Sequence, residues 1–172
     1  MTPAADGAED SLRTQRIHAL LAERCWLVST AESLTGGALS AALTEVTGAS
    51  AVVAGGVTCY SVAAKSRVLA VPDDLLAARG AVDPAVAAAM ARGAAALFDT
   101  PCAVATTGVA GPGPLLGSPM TVPAGTVIIA VVAPHAQRVR GFTLDGDRPA
   151  VRAAAVTAAL RLLLAVLEHP GR

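Results

Sequence analysis

The chain has 172 residues, of which 53% are hydrophobic, 15% are charged and only 2% are aromatic, and its formal net charge is zero. This composition is typical of one globular domain and argues against a disordered chain. Zero net charge without a basic stripe argues against nucleic acid as a partner, and the scarcity of aromatic rings removes the platforms on which bases stack.

Helical and strand-like spacings alternate along the chain, which predicts a layered α/β fold. The last two strand-like runs are close enough to form a hairpin, so the sheet should be mixed rather than wholly parallel. In chain order, we predict helices over 11–24, 36–46, 62–69, 73–79, 84–98 and 148–167, and strands over 25–30, 52–60, 102–106, 125–132 and 138–143.

The N-terminal segment is polar and acidic, so we predict a disordered tail over residues 1–10 and a single domain over residues 11–168. No apolar run reaches the ~18 residues that a membrane span requires, so no membrane association is expected. The three cysteines and three histidines lie apart from one another and from the polar motifs. We therefore expect reduced core thiols, a cytoplasmic location and no metal site.

Polar or glycine-rich segments follow the first three predicted strands. Ser33 follows the first strand, Tyr60 and Lys65 follow the second, and Thr107 opens the glycine- and proline-rich loop after the third. Ligands of open α/β sheets bind beyond the carboxyl ends of strands, so these segments should converge on one site.

Ser33 lies in the segment TAESLTGG, where a buried strand passes to a helix and leaves backbone N–H groups unpaired. One interpretation is a serine nucleophile, for which the amides after Ser33 could form an oxyanion site. The other is a helix-capping serine whose hydroxyl binds only backbone. Glu32 could likewise be a first-turn carboxylate that the helix dipole favours.

Lys65 is the only lysine of the chain, and the other twelve basic residues are arginines. Lysine can lose its proton when it is desolvated and arginine cannot, so Lys65 is the candidate base, alone or with Tyr60. The alternative is chance in an arginine-rich composition. The apolar residues Val62, Ala63 and Ala64 favour a dry setting, which would lower the pKa of the lysine.

Seven motifs occur in order along residues 11–168: AESLTGG at 31–37, TGAS at 47–50, YSVAAK at 60–65, GAV at 80–82, TTGVAGP at 106–112, PAGTV at 123–127 and GDRPAVR at 146–152. This set resembles the CinA C-terminal family, whose enzymatic members are the nicotinamide-nucleotide amidases. An ordered set of this kind is more specific than a single glycine motif.

The resemblance implies a three-layer α/β/α sandwich with a mixed five-stranded sheet. It implies hydrolysis of nicotinamide mononucleotide to the nicotinic acid form and ammonia, with no cofactor or metal. The family's catalytic serine, tyrosine and lysine fall on Ser33, Tyr60 and Lys65. We also expect a homo-oligomer of two or more copies.

The substrate's phosphate should sit against backbone N–H groups of residues 35–37 or of residues 108–113, both of which are glycine-rich. The second segment could equally be a plain connection. The expected substrate-binding residues are Glu32, Thr35, Gly36, Gly37, Thr107, Gly108, Ala110 and Gly111.

Three segments depart from the family's usual sequence. Residues 62–64 are Val-Ala-Ala where the family often has Asn-Glu-Ala, Asp83 stands where many members have serine, and the loop over 113–123 is longer and more apolar. We expect this loop to line the substrate pocket. The altered loop supports the alternative of a non-catalytic CinA-type protein that binds a nucleotide or a partner, whereas the retained serine, tyrosine and lysine favour the enzyme.

Overall fold

The computed structural model of the protein describes residues 3–116 and 119–169. Five strands form one sheet: β1 (Val28–Glu32), β2 (Val53–Thr58), β3 (Cys102–Gly108), β4 (Thr126–Ala133) and β5 (Ala136–Thr143). Their order in the sheet is β2-β1-β3-β4-β5. β1 pairs in parallel with β2 and β3, whereas β4 is antiparallel to both β3 and β5. The predicted mixed sheet with a late hairpin is therefore confirmed.

Helices cover both faces of this sheet. Within the described residues they are α1 (Pro3–Glu23), α2 (Ala38–Thr44), α3 (Val62–Leu69), α4 (Asp73–Arg79), α5 (Pro84–Phe98) and α6 (Arg148–Glu168), with a short 3-10 helix over Ala49–Ala51. α6 packs on one face together with α1 and α2, and α5 packs on the other face with α3 and α4. The three-layer α/β/α sandwich is confirmed.

Small side chains let the α5 layer approach the sheet and α3 closely. Ala87, Ala91 and Ala94 of α5 are fully buried. A Cβ atom at Gly93 would lie 2.1 Å from the backbone oxygen of Leu69, so only glycine permits this approach of α5 to the end of α3. Alanine and glycine thus allow close packing of α5 on the sheet and on α3, and this packing fixes the position of α3 beside the sheet.

Polar side chains cap the N-termini of α3 and α5. The side chain of Ser61 accepts a hydrogen bond from the N–H of Ala64 at the start of α3. Asp83 accepts from the N–H of Ala85 at the start of α5, where Pro84 occupies the first helical position.

The predicted tail over residues 1–10 is wrong for its described part, because helix α1 begins at Pro3 rather than at residue 11. The carboxylate of Asp10 accepts hydrogen bonds from Arg13 on the same helix and from Thr157 of α6. Polar residues that suggested disorder therefore bind α1 to α6. Residues 1 and 2 lie outside the described residues.

Helix α6 is long and apolar enough to cross a membrane. This corrects the expectation that no segment of the chain has the length and hydropathy of a membrane span. In the fold it is a core helix. Ala155, Leu160 and Leu163 are fully buried, and the helix packs against both α1 and the sheet. A buried core helix meets the same length and hydropathy criteria as a membrane span.

Candidate active site

The carboxyl ends of β1 and β3 and the segment after β2 open onto one cavity of about 390 Å³. Seven of the eleven predicted site residues line it: Ser33, Tyr60, Lys65, Thr107, Gly108, Ala110 and Gly111. Four others are not part of its wall: Glu32, Thr35, Gly36 and Gly37. The strand ends therefore converge as the sequence indicates, but residues 35–37, unlike Ser33 and Leu34, do not line the cavity.

Ser33 and Lys65 are in direct contact at the floor of this cavity. Lys65 Nζ donates a hydrogen bond to Ser33 Oγ over 3.0 Å. The same nitrogen donates to the carbonyl oxygen of Cys59 over 2.8 Å and to that of Tyr60 over 3.4 Å. Lys65 is 1% exposed and Ser33 is 7% exposed, so the pair is almost entirely shielded from bulk water.

Burial lowers the pKa of Lys65 to about 8, and the neighbouring Cys59 thiol acts in the opposite direction. The predicted dry setting is confirmed, but its cause differs from the expected one. Val62 and Ala63 are exposed and Ala64 is half-buried. The amine is dry because the Lys65 side chain turns inward from α3 toward the strand ends.

The backbone around Ser33 forms a tight turn, not the first turn of a helix. The N–H of Ser33 donates to the carbonyl of Thr106 over 3.0 Å, and the N–H of Gly36 donates to the carbonyl of Ser33 over 3.1 Å. Gly36 and Gly37 have φ values of 62° and 95°, which glycine adopts without strain. Helix α2 begins only at Ala38, so Ser33 does not cap it.

Glu32 is fully buried and binds the start of α2. Its Oε2 accepts hydrogen bonds from the N–H groups of Gly37 and Leu39, at 2.9 and 3.1 Å. Its Oε1 accepts from the N–H and the hydroxyl of Ser40, at 2.8 and 2.6 Å. The carboxylate therefore occupies the place that an anionic ligand would take, which agrees with its interpretation as a carboxylate that the helix dipole favours.

The side chain of Thr35 also has a structural role. Its hydroxyl is 2.7 Å from that of Thr106 on β3, and both side chains are fully buried. The N–H of Gly36 is bound to the carbonyl of Ser33 and the N–H of Gly37 is bound to Glu32, so neither glycine is free to make the predicted phosphate contact. The glycine-rich loop over 108–113 is the remaining candidate.

Thr107 and Gly108 close the wall formed by β3. The hydroxyl of Thr107 donates to the carbonyl of Ala81 over 2.7 Å, which ties the GAV segment to the end of the strand. A Cβ atom at Gly108 would lie 2.4 Å from the backbone oxygen of Thr126, so glycine permits the close pairing of β3 with β4.

Arg148 is a cavity residue that the sequence interpretation did not single out. Its Nη2 donates to the hydroxyl of Tyr60 over 2.7 Å, and its Nη1 donates to the carbonyl of Gly111 over 3.0 Å. The available signal was its place in the GDRPAVR motif. Among the described residues the Tyr60 hydroxyl makes no hydrogen bond to Ser33 or Lys65; only its carbonyl reaches the lysine.

The cavity thus combines a serine hydroxyl, an amine of lowered pKa and an exposed guanidinium. Among the described residues, no three histidine, cysteine, aspartate or glutamate side chains lie together as a metal site would require. This set of groups suits attack by a serine on a neutral electrophile such as an amide carbon.

Comparison with known proteins gives a consistent family. The family model of the CinA C-terminal domain matches residues 10–167. A CinA-like protein from Mycobacterium sp. (strain JLS) is 47% identical over 161 residues, which cover 93% of this chain and 37% of the relative. The chain therefore spans little more than a third of the length of that curated relative, and it spans 36% of a CinA-like protein from Frankia casuarinae.

Solved structures match over nearly their whole length. The competence damage-inducible protein A from Klebsiella pneumoniae superposes with a TM-score of 0.87 at 36% identity, covering 93% of this chain and 98% of that chain. A CinA superfamily protein from Escherichia coli superposes with a TM-score of 0.86 at 31% identity, covering 95% and 92% of the two chains. The chain belongs to the CinA C-terminal domain family.

Proposed function

We propose that the protein is an amidohydrolase that converts nicotinamide mononucleotide to nicotinic acid mononucleotide and ammonia. The observation that carries this proposal is the 3.0 Å contact between Ser33 Oγ and Lys65 Nζ inside a cavity of about 390 Å³. That volume lies in the range of small-molecule sites. The substrate itself is suggested by the resemblance of the ordered motifs to nicotinamide-nucleotide amidases.

In the first half of the reaction, Ser33 Oγ attacks the carbon of the carboxamide while neutral Lys65 takes the hydroxyl proton. A C–O bond forms, and the carbonyl oxygen becomes an oxyanion. When the tetrahedral intermediate collapses, the C–N bond breaks and the Lys65 ammonium gives its proton to the leaving nitrogen. Ammonia departs, and a nicotinoyl ester remains on Ser33.

In the second half, water attacks the ester carbon and Lys65 takes a proton from that water. Collapse of the new tetrahedral intermediate breaks the bond to Ser33 Oγ, and the proton returns from Lys65 to the serine. The carboxylic acid product loses its proton to solvent and leaves as the carboxylate. Each proton that Lys65 accepts is returned within the same half-reaction, so the enzyme ends in its starting form.

The oxyanion needs hydrogen-bond donors beside Ser33. The N–H groups of Leu34 and Thr35 follow directly in the chain, and neither has an acceptor among the described residues. Leu34 lines the cavity although the Thr35 side chain does not, and the N–H of Thr35 belongs to the peptide unit that joins these two residues. We assign these two backbone groups as the donors of the oxyanion site.

Arg148 is the best-placed group for the phosphate. It is exposed at the wall of the cavity, and its two hydrogen bonds to Tyr60 and Gly111 hold the guanidinium beside the glycine-rich loop. A guanidinium presents two parallel donors that match phosphate oxygens. Tyr60 then acts by holding Arg148 through its hydroxyl and Lys65 through its carbonyl.

The test is ammonia release from purified protein incubated with nicotinamide mononucleotide, with nicotinic acid mononucleotide identified as the second product. A matched reaction with the Ser33→Ala variant controls for contaminating amidases. Release by the wild-type protein and not by the variant supports the proposal. Equal release by both, or none by either, contradicts it and favours a non-catalytic CinA-type binding protein.

A further inference from the structure

Arg152 binds the turn that follows Ser33, although it lies on α6, more than a hundred residues away in sequence. Its Nε donates to the carbonyl of Leu34 over 3.0 Å, and its Nη2 donates to the carbonyl of Thr35 over 2.8 Å. The side chain is half-buried. Among the described residues, no carboxylate forms an ion pair with it, so these two carbonyls are its partners.

These two carbonyls belong to the peptide units that bear the next two N–H groups. A peptide unit is planar and trans, so its carbonyl and its N–H point in opposite directions. When Arg152 holds the carbonyl of Leu34, it turns the N–H of Thr35 away from α6. Holding the carbonyl of Thr35 likewise orients the N–H of Gly36, which donates to the carbonyl of Ser33 over 3.1 Å.

We propose that Arg152 is a positioning residue that orients the N–H of Thr35, one of the two oxyanion donors beside Ser33. The inference rests on the proposed function, because it assigns a task within the serine reaction. Glu32 holds the far end of the same turn through the N–H groups of Gly37 and Leu39. The turn is therefore fixed by an anion that binds its N–H groups and a cation that binds its carbonyls.

The site is shaped for a guanidinium and not merely for a positive charge. Arg152 binds two successive carbonyls through two separate nitrogens of one rigid plane, whereas lysine offers a single nitrogen at the end of a flexible stem. A Cβ atom at Gly36 would lie 3.3 Å from Arg152 Nη2, so glycine at this position leaves room for the guanidinium.

Helix α6 carries two arginines whose substitutions can be compared. Arg148 and Arg152 are one turn apart on α6, but Arg148 lines the cavity and Arg152 binds the turn after Ser33. Loss of Arg148 should therefore weaken substrate binding, whereas loss of Arg152 should slow the chemical step. Arg161, which is exposed on the same helix, provides a control for the substitution itself.

The experiment compares Arg152→Lys and Arg161→Lys with the wild-type protein in two assays. The first is steady-state ammonia release. The second is the rate at which a fluorophosphonate labels Ser33, measured by mass spectrometry of the intact protein. In this labelling reaction the Ser33 Oγ–P bond forms, the P–F bond breaks, Lys65 takes the hydroxyl proton and fluoride leaves. The phosphoryl oxygen occupies the oxyanion site in this reaction, which needs no assumption about the natural substrate.

For Arg152→Lys we expect kcat and the labelling rate to fall about 100-fold, which is the effect of losing one oxyanion donor, with KM unchanged within about threefold. Arg161→Lys should match the wild type. In Arg152→Ala, millimolar guanidinium ion should restore much of the labelling rate by filling the vacated site.

A labelling rate for Arg152→Lys within about twofold of the wild-type rate would overturn the proposal. So would a folded Arg152→Ala variant that guanidinium does not rescue, or loss of folding in both variants, since Arg152 would then be structural only. If the wild-type protein releases no ammonia, the proposed function fails, and the labelling rates still decide the role of Arg152.

Discussion

Ser33 Oγ and Lys65 Nζ meet over 3.0 Å, although 32 residues separate them in the chain. The carbonyls of Cys59 and Tyr60 accept two hydrogen bonds from the same amine. A neutral amine has two N–H donors and one lone pair, so these carbonyls satisfy both donors and leave the lone pair for the Ser33 hydroxyl. The surroundings of Lys65 therefore suit its uncharged form as well as its charged form.

Replacement of Ser33 by alanine should remove the nucleophile and leave the fold intact. We expect Ser33→Ala to lose at least about 1,000-fold in kcat, because within the described part of the chain no other hydroxyl forms a hydrogen bond with Lys65. The melting temperature should stay near that of the wild type, since the change removes one polar atom beside a cavity. Ammonia release and thermal unfolding measure the two effects.

The exposed Ser50 offers a matched control, because Ser50→Ala makes the same chemical change far from the cavity. It should keep wild-type turnover. Near-normal turnover by Ser33→Ala would remove Ser33 from the mechanism and leave it as a structural residue of the turn.

Activity should rise with pH through the pKa of Lys65. A base must be unprotonated, and burial places the pKa of this lysine at about 8. We therefore expect kcat/KM to increase about tenfold per pH unit below pH 8 and to level off above it. The measurement is ammonia release from pH 6 to pH 9.5 at constant ionic strength.

Lys65→Arg tests the same assignment by substitution. Arginine keeps the positive charge but does not lose its proton at any pH in this range. The variant should be nearly as inactive as Lys65→Ala over the whole profile. An active Lys65→Arg enzyme would show that the charge of residue 65, and not its basicity, supports the reaction.

The convergence of Ser33, Tyr60 and Lys65 could be predicted from the sequence, because the carboxyl ends of neighbouring strands meet at one edge of a sheet. The strand and helix periodicities also located the five strands to within a few residues. Lys65 stood out for a compositional reason, as the single lysine of a chain that otherwise uses arginine.

The roles of Glu32 and Arg152 could not be predicted in this way. The spacing of Glu32 from Ser33 does not reveal that its carboxylate folds back onto the amides of α2. Arg152 acts across more than a hundred residues of chain, and only the packing of α6 on the sheet brings it to the turn. Contacts of this kind depend on tertiary structure and leave no local pattern.

Glu32 should matter for stability more than for substrate affinity. Its carboxylate accepts four hydrogen bonds in a fully buried position. Glu32→Gln replaces one acceptor oxygen by an NH₂ group that must face N–H donors. We expect a loss of about 2–4 kcal/mol in the free energy of unfolding, because buried donors lose their acceptor. Urea denaturation measures this loss.

Glu45→Gln, at an exposed position after α2, is the control and should change stability by less than about 0.5 kcal/mol. The KM of the folded Glu32→Gln fraction should stay near the wild-type value. A large rise in KM with unchanged stability would instead show that Glu32 binds the substrate.

Arg148 should recognise the substrate's phosphate. We expect Arg148→Ala to raise KM for nicotinamide mononucleotide by about 10- to 100-fold, as loss of a charge-assisted hydrogen bond predicts. Turnover of the corresponding nucleoside, which lacks the phosphate, should be poor in the wild type and unaffected by the substitution. Equal turnover of nucleoside and mononucleotide by the wild-type protein would refute phosphate recognition.

The lowered pKa of Lys65 should also be visible in folding stability. The pKa of this amine is about 8 in the folded protein and near ~10.4 in an unfolded chain. Between these values the unfolded state binds more protons, so the free energy of unfolding of the wild type should rise with pH. The difference of about two pKa units corresponds to roughly 3 kcal/mol gained from pH 7 to pH 10.5.

Lys65→Met keeps an unbranched side chain that is one atom shorter and cannot titrate, so it should lack this gain. Urea denaturation of both proteins at several pH values isolates the contribution of Lys65, because the other titrating groups are shared. The stability of the variant relative to the wild type should fall by roughly 3 kcal/mol as the pH rises from 7 to 10.5. A difference that does not change with pH would mean that the fold leaves the pKa of Lys65 unchanged, and the amine would then be too basic to deprotonate Ser33 at neutral pH.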